Sequence, residues 1–172
     1  IKLKANDELL MVDIVEKGDF CFLVSTAGKA ITFPADSVRN MGRLASGVRG
    51  IKLRNNEVVS SVSILSQTNI ANSYILIIAK RGYGKVVMAK LFKAQNRGGI
   101  GIKAGNISEK TGPIVFSAVI TGLDSKLVLT SYSGQTVKMP VKSIPVLSRA
   151  TQGVILMRFS SAKDGIASAT LI

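Results

Sequence analysis

One loop is written three times along the chain. Arg43-Leu44-Ala45-Ser46-Gly47-Val48 returns as Arg97-Gly98-Gly99-Ile100-Gly101-Ile102 and again as Arg149-Ala150-Thr151-Gln152-Gly153-Val154. Each copy reads Arg, three residues, Gly, then a β-branched residue. Fifteen residues before each Arg stands a turn glycine: Gly28, Gly82 and Gly134. Two landmarks hold register over periods of 54 and 52 residues, and a fixed long period is the signature of a repeat architecture.

Between the landmarks the pattern is that of short strands. Phe20 to Ser25 is an apolar run rich in aromatic and β-branched residues, followed by the turn at Ala27-Gly28. Ala30 to Phe33 is a second run, stopped by Pro34, which cannot donate to a ladder. Val48 to Leu53 predicts a third strand, Asn55-Asn56 a turn, and Val58 to Leu65 a fourth strand. The second repeat follows the same plan with Tyr74–Ala79, Val86–Ala89, Ile100–Ile107 and Ile114–Ile120. The third follows it with Leu127–Thr130, Thr136–Met139, Val154–Phe159 and Ile166–Ile172. No segment keeps helical periodicity, so the expected fold is all-β: propeller-like four-stranded antiparallel blades over residues 19–72, 73–124 and 125–172. Residues 1–14 match residues 51–64 in register, so 1–18 read as the closing strands of a preceding blade. The chain therefore reads as a fragment or processed product, consistent with its start at Ile1.

Composition narrows the chemistry. There is no His, and one Cys, Cys21, lies inside an apolar run where a thiol behaves as a small buried hydrophobe. Neither a Ser/His/Asp nor a Cys/His nucleophile can be assembled, nor a zinc site of Cys and His. Acids are few and sit in turn-like places such as Asp7-Glu8, Glu57 and Asp164. Gly28-Lys29 fails as a phosphate loop because Leu23 stands where a glycine is required, and Gly99-Ile100-Gly101 meets Ala104 where a dinucleotide loop needs its third glycine. No catalytic, cofactor or metal residue is assigned. The apolar runs are far too short for a membrane helix, so a soluble, reducing compartment is expected.

What remains is charge. Lys and Arg number 23 against 10 acids, a net charge of +13, which is the balance of a polyanion binder. The net rises from −1 over residues 1–18 to +3, +6 and +5 over the three repeats. Arg39 shares register with Lys93, Arg49 with Lys103, and Lys90 with Lys142. With Arg43, Lys52, Arg81, Lys85, Arg97 and Arg149 these form the candidate DNA-binding set, because equivalent bases on successive blades can follow a phosphate backbone without reading its sequence. Two roles stay open for the repeated Arg43, Arg97 and Arg149: phosphate contact, or holding loop carbonyls with a five-donor guanidinium. At 5% aromatics, stacking on unpaired bases is poorly supported.

The stretches Met41 to Leu53, Asn69 to Lys85 and Ser148 to Arg158 resemble the last three blades of the DNA gyrase A C-terminal domain, over essentially the whole chain. The resemblance implies a β-pinwheel with strand exchange between blades and a basic rim that binds, bends and wraps duplex DNA. It supports negative supercoiling by a bacterial, cytoplasmic and nucleoid-associated enzyme, a type II DNA topoisomerase. It also implies that the partners are the rest of the gyrase A subunit, plus the gyrase B subunit, with ATP and Mg used elsewhere in the parent enzyme and no cofactor in this chain. The family's gyrase box, Gln, base, Arg, Gly, Gly, base, Gly, has only a faint echo in Gln95-Asn96-Arg97-Gly98-Gly99-Ile100-Gly101, with Asn96 and Ile100 at the basic positions. The alternatives are the similar C-terminal domain of topoisomerase IV and a propeller used as a protein-interaction scaffold.

Overall fold

The computed structural model describes residues 1–54 and 56–172; Asn55, half of the expected Asn55-Asn56 turn, lies outside the described residues. Among the described residues eleven strands form: β1 (Phe20–Ser25), β2 (Lys29–Pro34), β3 (Val59–Leu65), β4 (Ser73–Ala79), β5 (Tyr83–Met88), β6 (Ile102–Lys103), β7 (Ile114–Thr121), β8 (Lys126–Ser131), β9 (Thr136–Pro140), β10 (Val154–Ile155) and β11 (Ile166–Leu171). The only helical pieces among the described residues are short 3-10 turns. Three sheets result, ordered β3-β1-β2-β6, β10-β5-β4-β7 and β11-β8-β9, and the pairings within them are antiparallel.

The order carries the strand exchange between blades that the resemblance implies. The fourth strand of a blade belongs to the next repeat: β6 of the second repeat pairs with β2, and β10 of the third pairs with β5. These strands are also much shorter than the expected Ile100–Ile107 and Val154–Phe159. The reason is geometric. Lys103 pairs with Lys29, the first residue of β2, so the next amides, Ala104 N and Gly105 N, have run past the ladder and donate to Gly28 O in the hairpin turn. Leu156 N and Met157 N do the same to Gly82 O. Val48–Leu53, expected as a strand, forms none, and neither do residues 1–18. A strand exists only against a partner, and neither segment is in a ladder with another.

Close approach of one repeat to the next explains the glycine four residues after Arg97 and after Arg149. Gly101 and Gly153 hold φ of 69° and 91°. A Cβ on Gly153 would stand 2.6 Å from Gly84 O, and one on Gly101 would strike Ala30 O. Only a residue without a side chain can lie against the neighbouring sheet edge in this backbone conformation.

The core lies between blades. Along β4, Ile75 and Ile77 face the first blade while Leu76 and Ile78 face the third, so the strand is buried on both sides and reads as a continuous apolar run. The first seam packs Phe22, Val24, Leu65 and Phe92, with the Phe22 and Phe92 rings edge to face at 5.0 Å. The second packs Val86, Leu127, Leu129, Ile144 and Met157. Cys21 is half-buried beside Ile31 and Phe33 rather than fully enclosed. Burial, and then Asp19, push its thiol above the ordinary range.

Candidate nucleic-acid interface

After the second strand of each blade the chain makes a 3-10 turn: Ala35–Ser37, Ala89–Leu91 and Val141–Ser143. In the later two, Ala89 and Val141 are buried, which fixes the turn and leaves the following residue, Lys90 or Lys142, exposed. The same place in the first blade holds Asp36, so that blade's edge is less positive. A second pair uses the same device: Val38 and Phe92 point inward, and the bases that follow, Arg39 and Lys93, are exposed. Arg39 and Arg43 line one shallow groove. Arg49 and Lys52 are exposed on the connection of the first repeat, and Lys103 is exposed on β6 with its ammonium 2.9 Å from Asn106 Oδ1. Arg81 is exposed and donates to Ala162 O at 2.8 Å across the second seam.

Three members of the candidate set bond across to a neighbouring blade. Arg97 Nη1 donates to Arg49 O at 2.8 Å, and Arg149 Nη1 donates to Lys103 O at 2.9 Å. In both cases the acceptor is six residues beyond the repeated Arg of the preceding blade. The guanidinium is thus a staple between blades, holding the neighbour's loop and not its own. Lys85 departs furthest. Only 1% exposed, it donates from Nζ to Ser148 O (3.0 Å), Arg149 O (2.6 Å), Thr151 O (2.9 Å) and Thr151 Oγ1 (3.3 Å). Burial, then repulsion from Arg149 and Lys103, pulls its ammonium down to about 8. This lysine clamps the third repeat's loop onto the second blade, and its charge is not offered to a phosphate.

A signal for the clamp was present in the repeat. Lys85 is the register equivalent of Ile31 and Val137, and a lone lysine in an otherwise apolar register marks a buried partner. Asp164 is a second polar anchor, accepting from Ser133 Oγ at 2.6 Å and from the Ser133 and Gly165 amides. These bonds, Ser133 foremost, hold its carboxyl below the usual range.

Antiparallel blades that lend a strand backward, with exposed bases at equivalent turns of successive blades, define the chain as a propeller-like repeat domain with a basic edge. Comparison with known proteins places it more closely. The family model for the DNA gyrase C-terminal domain, a beta-propeller, matches residues 19–66, 73–121 and 125–172, and the chain belongs to that family. Curated relatives include the DNA gyrase A subunit of Lawsonia intracellularis, 36% identical over 92% of this chain and 19% of the relative. Another is the DNA gyrase A subunit of Chlamydia pneumoniae, 35% identical over 91% of this chain and 18% of the relative. The chain thus spans about a fifth of their length. Among solved structures, a DNA gyrase A C-terminal domain matches with a TM-score of 0.86 at 23% identity, covering 99% of this chain and 56% of that one. The C-terminal domain of a DNA topoisomerase IV matches with 0.88 at 17%, covering 99% and 52%. These last two likenesses establish the fold. No helix among the described residues is long and apolar enough to cross a membrane.

Proposed function

We propose that the chain binds and bends duplex DNA along its basic edge, as part of a bacterial gyrase A subunit, whose other regions and the gyrase B subunit are its partners. On this reading it contributes DNA positioning, in the cytoplasm, to supercoiling chemistry carried out elsewhere in the enzyme. The observation that carries the reading is the exposed pair Lys90 and Lys142 at the same turn of adjacent blades, reinforced by Lys93 one turn further on. Phosphates recur at regular intervals, so bases repeated by the architecture suit a backbone and not a particular sequence. The contact set on this reading is Arg39, Arg43, Arg49, Lys52, Lys90, Lys93, Lys103 and Lys142, with Arg81 at its margin.

Anisotropy titrations of a labelled duplex at several salt concentrations test it. Binding should be sequence-tolerant and lose ~0.9 log units per tenfold rise in salt for each phosphate neutralised. Lys90→Ala with Lys93→Ala should lower that slope by roughly 1.8, whereas Lys163→Ala should leave it unchanged. Equal effects at both places would mean charge without a track. Salt-insensitive binding of peptides, with no duplex binding, would return the chain to the scaffold class. Bending by 40–90° costs on the order of 1–6 kcal/mol, so contacts must be spread along a curved surface. With the box reduced to its echo at Gln95–Gly101, the bend is partial. Ligation of nicked circles should give a smaller positive linking-number shift than a domain carrying the full box.

A further inference from the structure

In the first two blades the next repeat lays a strand on the edge of the hairpin, β6 on β2 and β10 on β5, but among the described residues nothing covers the same edge of β9. The chain that follows the lent strand also closes over the hairpin turn. A Cβ on Gly28 would meet Ile107 and Gly105 O, and one on Gly82 would strike Met157 O; both glycines are buried. Gly134 has the same left-handed conformation, φ 87° against 80° and 78°, yet it is exposed and a Cβ there would meet nothing within 4 Å. The third hairpin is thus an acceptor shaped like the first two, with its cradle open. Pro140 does not bar a strand, because its equivalent Pro34 ends β2, which accepts one.

The same chain carries a donor in no ladder. Arg43–Val48 has the landmarks of Arg97–Ile102 and Arg149–Val154, whose last residues begin β6 and β10, and both Arg43 and Val48 are exposed. Gly47 already holds φ of 80°. We propose that two copies of this chain associate by strand exchange, each laying Val48 and Arg49 on the other's β9. Register fixes the contacts. Lys103 pairs with Lys29 and Ile155 with Tyr83, so Arg49 pairs with Gln135 of the second copy and Val48 with Thr136. The Gly50 and Ile51 amides donate to Gly134 O, as their equivalents do to Gly28 O and Gly82 O. Arg43 staples Ile155 O, as Arg97 and Arg149 staple Arg49 O and Lys103 O. Residues 1–14 answer in register to 157–170, which already hold that place in the second copy; mostly exposed and in no ladder, they leave the seam. Two copies supply six blades, within the roughly four to eight at which such rings close, so a closed pair forms and not a filament. The pairing does not rest on DNA binding, and salt separates the two: screening weakens phosphate contacts but relieves repulsion between two chains of +13.

Sedimentation equilibrium at up to about 1 mM chain, the weak end of specific binding, tests the proposal. The mass of two chains is expected, in a fraction that rises with salt. Arg43→Ala should raise the dissociation constant about tenfold for each exchange, by removing one charge-assisted hydrogen bond. Thr136→Pro should abolish pairing and barely change urea unfolding of the single chain, since an edge strand tolerates proline where its N–H faces solvent. Chain carrying Arg49→Cys, mixed with chain carrying Gln135→Cys, should form an intermolecular disulfide that neither forms alone. Cross-strand neighbours stand about 4.5–5.5 Å apart between Cα atoms, which a disulfide spans. A single-chain mass at about 1 mM, or pairing that Arg43→Ala leaves unchanged, would overturn the proposal. So would disulfides formed as readily by either variant alone, a comparison that decides even if Thr136→Pro fails to fold.

Discussion

Replacing Lys85 by Met keeps the unbranched stem and removes the ammonium, which isolates the clamp between the second and third blades. Three carbonyls at 2.6–3.0 Å then lose their donor. Hydrogen bonds to a charged group are worth about 1.5–3 kcal/mol each, so the gross loss is roughly 5–9 kcal/mol. Against it stands the recovered cost of burying a charge, several kcal/mol, and water can reach the half-exposed loop in the variant. The bonds win by a small margin, and the expected destabilisation near neutral pH is about 2 kcal/mol.

The pH dependence supplies the sharper test. Lys85 is pulled from 10.5 to about 8 in the folded chain, so between those values the unfolded chain keeps a proton that the folded chain has released. Stability contributed by this group therefore rises with pH through that window and is flat below it. Taken at face value the shift is worth about 3 kcal/mol. Because Arg149 and Thr151, which face the ammonium, are only half-buried, solvent screening reduces this to roughly 1.5 kcal/mol. Urea unfolding at several values from pH 7 to 10.5 should show the stability gap between the unaltered chain and Lys85→Met widening by about that amount. A constant gap would mean that the ammonium is solvated. A narrowing gap would mean that the folded chain holds the Lys85 proton more tightly than the unfolded chain does, and either result refutes the reasoning.

Arg149→Ala should cost about 1–2 kcal/mol in urea unfolding by freeing Lys103 O, and Arg149→Lys should not restore it, since a flexible ammonium lacks the guanidinium's reach and fork. Gly153→Ala should be more damaging than Gly134→Ala, by about 1–2 kcal/mol in the same assay. Both hold positive φ, but only the former would press a Cβ on the neighbouring blade's backbone. Asp164 has a lowered pKa in the folded chain, so its contribution is present above the ordinary carboxylate range and disappears as pH falls through the lowered value. Thermal midpoints of the unaltered chain should fall on acidification more steeply than those of Asp164→Asn, and parallel curves would contradict the Ser133 anchor.

The periods of 54 and 52 residues carried the fold. Turn glycines at Gly28, Gly82 and Gly134 and the apolar runs beside them place the hairpins correctly, because a hairpin is a local object whose residues are contiguous. Strand exchange was legible only through the family resemblance, and the length of the exchanged strands was not legible at all. Ile102 and Lys103 look like part of a longer strand until the end of β2 is known to cut their ladder at Lys29, and that limit lies in another repeat. The exposure of Lys90 and Lys93 follows from local geometry as the hairpins do: in Ala89-Lys90 and Phe92-Lys93 a buried apolar residue is followed by a base that faces solvent. Lys85 follows the opposite logic, since only the loop 63–66 residues further on decides whether its charge meets solvent or carbonyls.

Recurrence and function separate here in a way that bears on any repeat protein. Arg97 and Arg149 each tie their blade to the previous one through an Nη1 hydrogen bond. Each seam also differs at a second place: the buried Ile31 stands where its equivalent in the next blade, Lys85, grips the Thr151 loop through hydrogen bonds. Bases available to a polyanion are instead those the architecture leaves free, at turn positions where the first blade tolerates Asp36 and the next two carry Lys90 and Lys142. Salt dependence should accordingly respond to Lys142→Ala and be indifferent to Lys85→Met, although the second change costs the fold more.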